Sequence, residues 1–330
     1  MKAKLIPYLI AVVAAPPLSA TAQEPIPVVA TFSILGNMVE RIGGSHVTVT
    51  TLVGPNGDTH VFQPNPSDAK SVAEANILFT NGLMFEGWLD RLAEAAQFSG
   101  DVVVTTDGID LIALEDRHDD HHDEDGHDDH DGEDGHDDHD DEDGHGHHGH
   151  DHGEFDPHGW QSLRNAITYV DNIAVALAKA APDQASTFYK NRAAYIAEIE
   201  MLDEEIKGMV ATLPEKARTV VTSHDAFQYF ARDYGLLFLA PQGLSTESEA
   251  SARDVAELIE QIREDEIAAV FVESISDERL MRQIANETGA AIGGQLYPGA
   301  LSAENGPAAT YLGLIRHNAT TIVEALSLAK

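Results

Sequence analysis

The chain contains no cysteine. Thiolate metal sites and disulfide staples are therefore excluded, and a bound metal ion must rest on imidazole nitrogen and carboxylate oxygen. Long apolar runs are also missing: the stretch Leu5 to Ala15 falls short of the roughly 20 apolar residues a membrane helix needs. Basic residues are scarce, with 20 Lys and Arg against 56 Asp and Glu and a formal net charge of −36. Such a surface excludes nucleic acid as a partner and favours cations.

The first 22 residues have the pattern of a secretory signal. Lys2 and Lys4 give a basic start, Leu5 to Ala15 an apolar stretch, and Ala20-Thr21-Ala22 the small residues that a signal peptidase requires. The expected mature protein begins near Gln23 and is exported and soluble, in a bacterial periplasm. A lipid anchor would need a cysteine at the cleavage point.

What the chain has in excess is histidine beside acid. Twelve of its 17 histidines and 21 of its acids fall between Glu115 and Asp156, where Arg117 is the one base. That tract carries −20 of the charge and the remainder −16. Within it Glu124-Asp125-Gly126-His127-Asp128-Asp129-His130 recurs nine residues later from Glu133, and a third copy begins at Glu142. No apolar side chain occurs from Asp116 to Gly153, so the tract has nothing to bury against the entropy of ordering, and disorder is expected. Its histidines, His118, His121, His122, His127, His130, His136, His139, His145, His147, His148, His150 and His152, are expected to form weak secondary metal sites. Many weak sites raise the local ion concentration without creating a tight one.

Elsewhere strands alternate with helices. Val28 to Ser33, Val47 to Val53, Ile77 to Thr80 and Val102 to Thr105 have strand composition, with helices over Ile34 to Ile42 and Gly87 to Ala96. After the tract, helices are expected over Trp160 to Ala181 and from Pro182 to about Leu213. The second helix carries Phe188, Tyr195, Ile199, Leu202, Ile206, Met209 and Leu213 on one face. Thirty helical residues span about 45 Å, enough to run along two lobes. The alternation then resumes. Strands are expected over Thr219 to Thr222, Leu236 to Leu239, Ile267 to Val272 and Ala291 to Leu296. Helices are expected over Asp225 to Tyr234, Val255 to Arg263, Asp277 to Thr288 and Pro307 to Leu328. The fold class is α/β, with mainly parallel sheets flanked by helices. The divisions are a signal peptide at 1–22, a first lobe at 23–182 with the insertion at about 115–154, a linking helix at 183–213 and a second lobe at 214–330.

Three histidines outside the tract, His60, His158 and His224, lie at strand-to-helix loops, where open α/β sheets bind ligands. Three imidazoles would supply three of zinc's four tetrahedral positions. Asp58, Asp156 and Asp225 stand beside them and could orient the rings. Singly, each histidine could equally be an ordinary loop residue. Glu247, Glu249 and Glu273 are further candidates for the surroundings of a site.

Several motifs in order resemble the zinc-specific metal-binding receptors of ABC importers, the cluster A-I family. They are Gly57-Asp58-Thr59-His60-Val61-Phe62-Gln63-Pro64, Asp156-Pro157-His158-Gly159-Trp160, Thr222-Ser223-His224-Asp225-Ala226-Phe227-Gln228-Tyr229-Phe230, Val270-Phe271-Val272-Glu273-Ser274 and Gly306-Pro307-Ala308-Ala309-Thr310-Tyr311-Leu312. A His/Asp-rich insertion precedes the second of the three histidine motifs. The resemblance implies two α/β lobes joined by one rigid long helix, with Zn2+ held between them by His60, His158 and His224. It also implies a receptor, not an enzyme, that delivers zinc to the permease of an importer. A periplasmic zinc donor is a second expected partner, and a monomer the expected state. Many relatives place an Asp ligand in the last strand-end loop; here that place falls on Gly299. A water, a tract histidine or Glu304 would have to complete the sphere. Two other readings have the same residues: a zinc hydrolase with an open three-histidine site, although no HExxH pair is present, and a metal buffer acting through the tract alone.

Overall fold

The computed structural model describes residues 24–114 and 153–328; the signal expected at 1–22 and most of the tract lie outside them. The first half builds β1 (Ile26–Phe32), α1 (Ser33–Gly43), β2 (Val47–Val53), α2 (Pro66–Glu74), β3 (Ile77–Thr80), α3 (Leu89–Ala95) and β4 (Asp101–Val104). These strands form one parallel sheet in the order β2-β1-β3-β4. Two helices follow, α4 (Leu163–Ala180) and α5 (Ala185–Val210). The second half builds β5 (Thr219–Val221), α6 (Gln228–Tyr234), β6 (Leu237–Leu239), α7 (Ala252–Glu264), β7 (Ala269–Glu273), α8 (Arg279–Thr288), β8 (Ala291–Leu296) and α9 (Tyr311–Leu328). Its parallel sheet has the same topology, β6-β5-β7-β8. Both sheets therefore reverse winding beside their first strand, and ligand crevices form at such switch points.

The sequence pattern supplies no helix between Gly54 and Ile77, yet α2 is there. Its start is a capping box: Ser67 N–H donates to Asn65 Oδ1 and Asn65 N–H to Asp68 Oδ2, both at 2.8 Å, with Pro66 in the first turn. A nine-residue helix with one buried side chain, Val72, leaves little periodicity to read. The helix expected from Trp160 is first a 3-10 turn at Gly159–Gln161. The α-helix then begins at Leu163, behind Ser162, whose hydroxyl accepts from Asn165 N–H. The last helix starts at Tyr311 rather than Pro307.

α5 joins the two sheets. It is 26 residues long, about 39 Å at 1.5 Å per residue. Its buried residues Phe188, Tyr195, Ile199, Leu202, Ile206 and Val210 form one stripe, packed on α1 and α4 of the first half and on α9 and α6 of the second. One hydrophobic core runs through this helix from the first sheet into β8 and α9, while a smaller core lies between the second sheet, α7 and α8. Hydrogen bonds cross the seam as well. Trp160 Nε1 and Gln161 Nε2 both donate to Pro298 O, at 2.9 and 2.7 Å, and Leu301 N–H donates to Ser33 Oγ at 2.9 Å.

A core shared across the seam predicts coupled unfolding. Leu202→Ala should cost about 2–5 kcal/mol. Tryptophan fluorescence reports the first half through Trp88 and the seam through Trp160, whereas far-UV circular dichroism reports both halves. The two denaturant transitions should still coincide; well-separated midpoints would contradict a continuous core.

Candidate metal centre

The carboxyl ends of the two sheets face each other, and their loops bring three distant histidines to one point. His60 arrives from the loop after β2. His158 comes from the segment that re-enters after the tract, and His224 from the loop after β5. Their ring centres stand 5.5 Å (His60–His158), 5.9 Å (His60–His224) and 5.6 Å (His158–His224) apart. One nitrogen of each lies within 4.8 Å of the others, and among the described residues no carboxylate oxygen joins this group.

Two of the rings are fixed by buried carboxylates. Asp156 Oδ1 meets His158 Nδ1 at 2.8 Å and also accepts from its backbone N–H at 2.9 Å. Glu273, at the end of β7, places Oε2 2.6 Å from His224 Nδ1, and its Oε1 accepts from the N–H groups of Ser223 and His224. A carboxylate on Nδ1 holds the proton there and leaves Nε2 with a bare lone pair. Nε2 of both rings is buried and has no partner among the described residues. Thr59 Oγ1, Asp156 Oδ2, Gln161 Oε1, Ser223 Oγ and Ser274 Oγ, on the histidine loops and the strand ends beside them, are also buried without a protein partner among the described residues. Such groups cost about 1–3 kcal/mol each when left unmade. Their gathering along these segments fits a chamber built for an ion.

The third ring is held differently. His60 is half-buried and packs edge-on against Phe85 at 4.9 Å. Asp58 does not reach the His60 ring. It accepts from the backbone N–H of His60 at 2.9 Å and from Thr246 Oγ1, across the seam, at 2.5 Å. Asp225 Oδ1 accepts from Gln228 Nε2, and it is Glu273 that meets the His224 ring nitrogen. A strand of apolar residues that ends in one glutamate, Val270 to Glu273, was the available signal.

His60 also lines a pocket of about 250 Å³ with Met84, Phe155, Leu244 and Glu247, the approach to the centre from outside. Burial, with the two neighbouring imidazoles, holds the pKa of His60 well below its ordinary value. Burial also disfavours a charged His224, but Glu273, with Asp58 and Asp225, outweighs it and the net shift is upward.

Gly299 carries no side chain toward the centre, and a Cβ there would meet only Ile275 Cδ1, at 3.7 Å. Glu304 is exposed and outside the histidine group. The tract histidines, His118 to His152, lie outside the described residues. The tract's flanks do meet: Ala113 bridges Phe155, and Leu114 N–H donates to Glu154 O at 2.9 Å. Two other histidines take no part; His46 packs on Phe188 and His317 Nε2 bonds Gln295 O.

Two parallel-sheet lobes around a closed, nitrogen-lined cleft define a metal-binding receptor of the solute-binding kind. The profile of the zinc-uptake complex component A periplasmic family matches residues 28–325, and the chain belongs to that family. It is 33% identical over 311 residues to the manganese-binding lipoprotein MntA of Bacillus subtilis, covering 93% of this chain and 91% of the relative. It is 30% identical over 297 residues to the iron-binding protein YfeA of Yersinia pestis, covering 90% and 85%. Among solved structures, the periplasmic zinc binding protein TroA from Treponema pallidum superposes with a TM-score of 0.78 at 27% identity, covering 92% of this chain and 99% of that one. A manganese-bound periplasmic metal binding protein from Candidatus Liberibacter asiaticus gives 0.73 at 30% identity, with 91% and 98% covered. The protein is thus the metal-binding, substrate-binding component of an ABC importer, which implies permease and ATPase partners, and it is not an enzyme. The hydrolase reading is set aside.

An ion on His224 Nε2 has to compete with a proton on a ring whose pKa is raised. Apparent affinity should therefore begin to fall at a pH above the ordinary value of about 6.5, by up to tenfold per unit for this ring. Glu273→Gln removes the raising charge and should move that acid limb to lower pH, while weakening binding at neutral pH by about 10–100-fold. Metal titrations across pH would show it; an acid limb that stays in place contradicts the role given to Glu273.

Proposed function

We propose that the ion is Zn2+, captured by His60, His158 and His224 and delivered to the permease of a zinc importer. The observation that carries this is the donor set: three imidazole nitrogens gathered within 4.8 Å and, among the described residues, no carboxylate oxygen in the group. Neutral nitrogen donors suit a borderline ion such as zinc, whereas manganese favours carboxylates and other oxygens. Gly299 works in the same direction, since it adds no oxygen. Relatives named for manganese and iron differ in the ion they carry, so the donor set, more than overall similarity, supports zinc.

Residues 1–22 act as a cleavable export signal in this proposal, and the mature receptor works in the periplasm. The tract from 115 to 152 collects zinc weakly near the cleft. The paired flanks Ala113 and Phe155 support this, because they return the chain beside the pocket that His60 lines.

Isothermal titration of the mature protein should show one tight zinc site per chain, with zinc at least about tenfold (1.4 kcal/mol) tighter than manganese. His60→Ala, His158→Ala and His224→Ala should each abolish the tight event. Tight binding that survives all three replacements would place the ion elsewhere. Deleting 117–153 should leave the tight event intact and remove the weak ones, since the flanks already meet. Loss of the tight event on deletion would transfer the main site to the tract.

A further inference from the structure

The turn that follows β3 is strained, and a buried acid holds it. Gly82, Leu83 and Met84 all adopt positive φ, at 88°, 55° and 61°. For the last two residues this conformation is unfavourable, because the side chain crowds the backbone. Glu86 closes the turn from inside. It is 6% exposed and is surrounded by donors: Thr31 Oγ1 at 2.6 Å, Asn81 N–H at 2.7 Å, Gly82 N–H at 3.1 Å and the Thr80 hydroxyl. Among the described residues it has no cationic partner. Burial pushes its carboxyl upward and these donors pull it back.

The turn touches the metal centre at two points. Asn81, whose N–H is held by Glu86, donates from Nδ2 to Pro157 O at 2.9 Å, one residue before His158. Its Oδ1 accepts from Tyr169 OH at 2.6 Å, so the side chain has no freedom to drift. Phe85, next to Glu86, sets its ring against the site histidines, edge-on at 4.9 Å from His60 and 6.0 Å from His158. Among the described residues no carboxylate bonds the His60 ring, so this ring contact is a principal restraint on where it stands.

We propose that Glu86 is a positioning residue for the captured ion: by fixing the Asn81–Phe85 turn it sets where the rings of His60 and His158 stand, and so the geometry and affinity of the centre. The inference rests on the zinc reading given above. A purely structural carboxylate would stabilise the first lobe without altering the ion's surroundings, and the two roles separate experimentally.

Glu86→Gln keeps the shape but turns an acceptor oxygen into an NH2 group facing backbone N–H donors. Zinc competition titration should give a Kd raised about tenfold or more at unchanged 1:1 stoichiometry. Loading with Co2+ should give a visible absorption spectrum altered in position and intensity. Leu177→Ala, a cavity far along α4 at a fully buried position, is the control for stability alone. It should lower Tm with the Kd and cobalt spectrum unchanged. Should Glu86→Gln fail to fold, Thr31→Val, which removes one donor, should shift both readouts in the same direction by less. Wild-type Kd and spectrum in the folded variant overturn the inference. A raised Kd with an unaltered spectrum, or an equal spectral change in Leu177→Ala, also overturns it and assigns Glu86 to stability. If the unaltered protein shows no tight zinc site, the zinc reading itself fails instead.

Discussion

Two buried carboxylate–imidazole hydrogen bonds, Asp156 to His158 and Glu273 to His224, are the constraint on which the centre depends. Each fixes a ring by Nδ1 and turns a bare Nε2 lone pair into the cleft. Removing a polar nitrogen from water is unfavourable unless something takes the lone pair. The fold accepts that cost at two rings and at a shell of hydroxyl, carboxylate and amide oxygens around them. A divalent ion held there, as proposed, would take the two Nε2 lone pairs directly.

The rest of the molecule keeps those rings at the right separation. Two sheets of identical topology present their switch points to each other, and a helix with one continuous apolar stripe ties them together. The shared core and the two donors converging on Pro298 O leave little freedom at the seam. The outer side is more open: there half-buried His60 meets a pocket and Thr246 reaches across to Asp58. The arrangement belongs to a family of substrate-binding receptors, not of enzymes. Glu273 is consistent with that: both of its oxygens are engaged in holding the His224 loop.

Much of this was legible in the residues. Alternating strand and helix patterns located β1 to β8 to within two residues at either end, and period-two and period-3.6 apolar spacing carried that information. The largest offsets fall at strand starts: β1 was expected from Val28 and begins at Ile26, and β7 was expected from Ile267 and begins at Ala269. α2 escaped because a short helix with one buried residue has almost no periodicity, and its start was written instead in Asn65, Pro66 and Asp68. The three histidines could be singled out as loop residues at strand ends. Proximity in the chain assigned one support correctly, Asp156 on His158, and misassigned another. Asp225 adjoins His224 yet bonds Gln228, whereas Glu273, 49 residues away, holds the ring. Glu86 left no local signal at all.

The sequence by itself determined the class of chemistry: without cysteine, thiolate donors were excluded, histidines at strand ends offered imidazole nitrogen, and the apolar periodicity dictated two α/β halves and a long helix. Those properties are local, set by residue type and spacing. Only the tertiary structure decided which histidines meet, which carboxylates orient them and which acid braces the turn beside them. The meeting of the three histidines and the bond from Glu273 to His224 join residues tens to more than a hundred positions apart, and their geometry exists only once the two sheets have packed along α5.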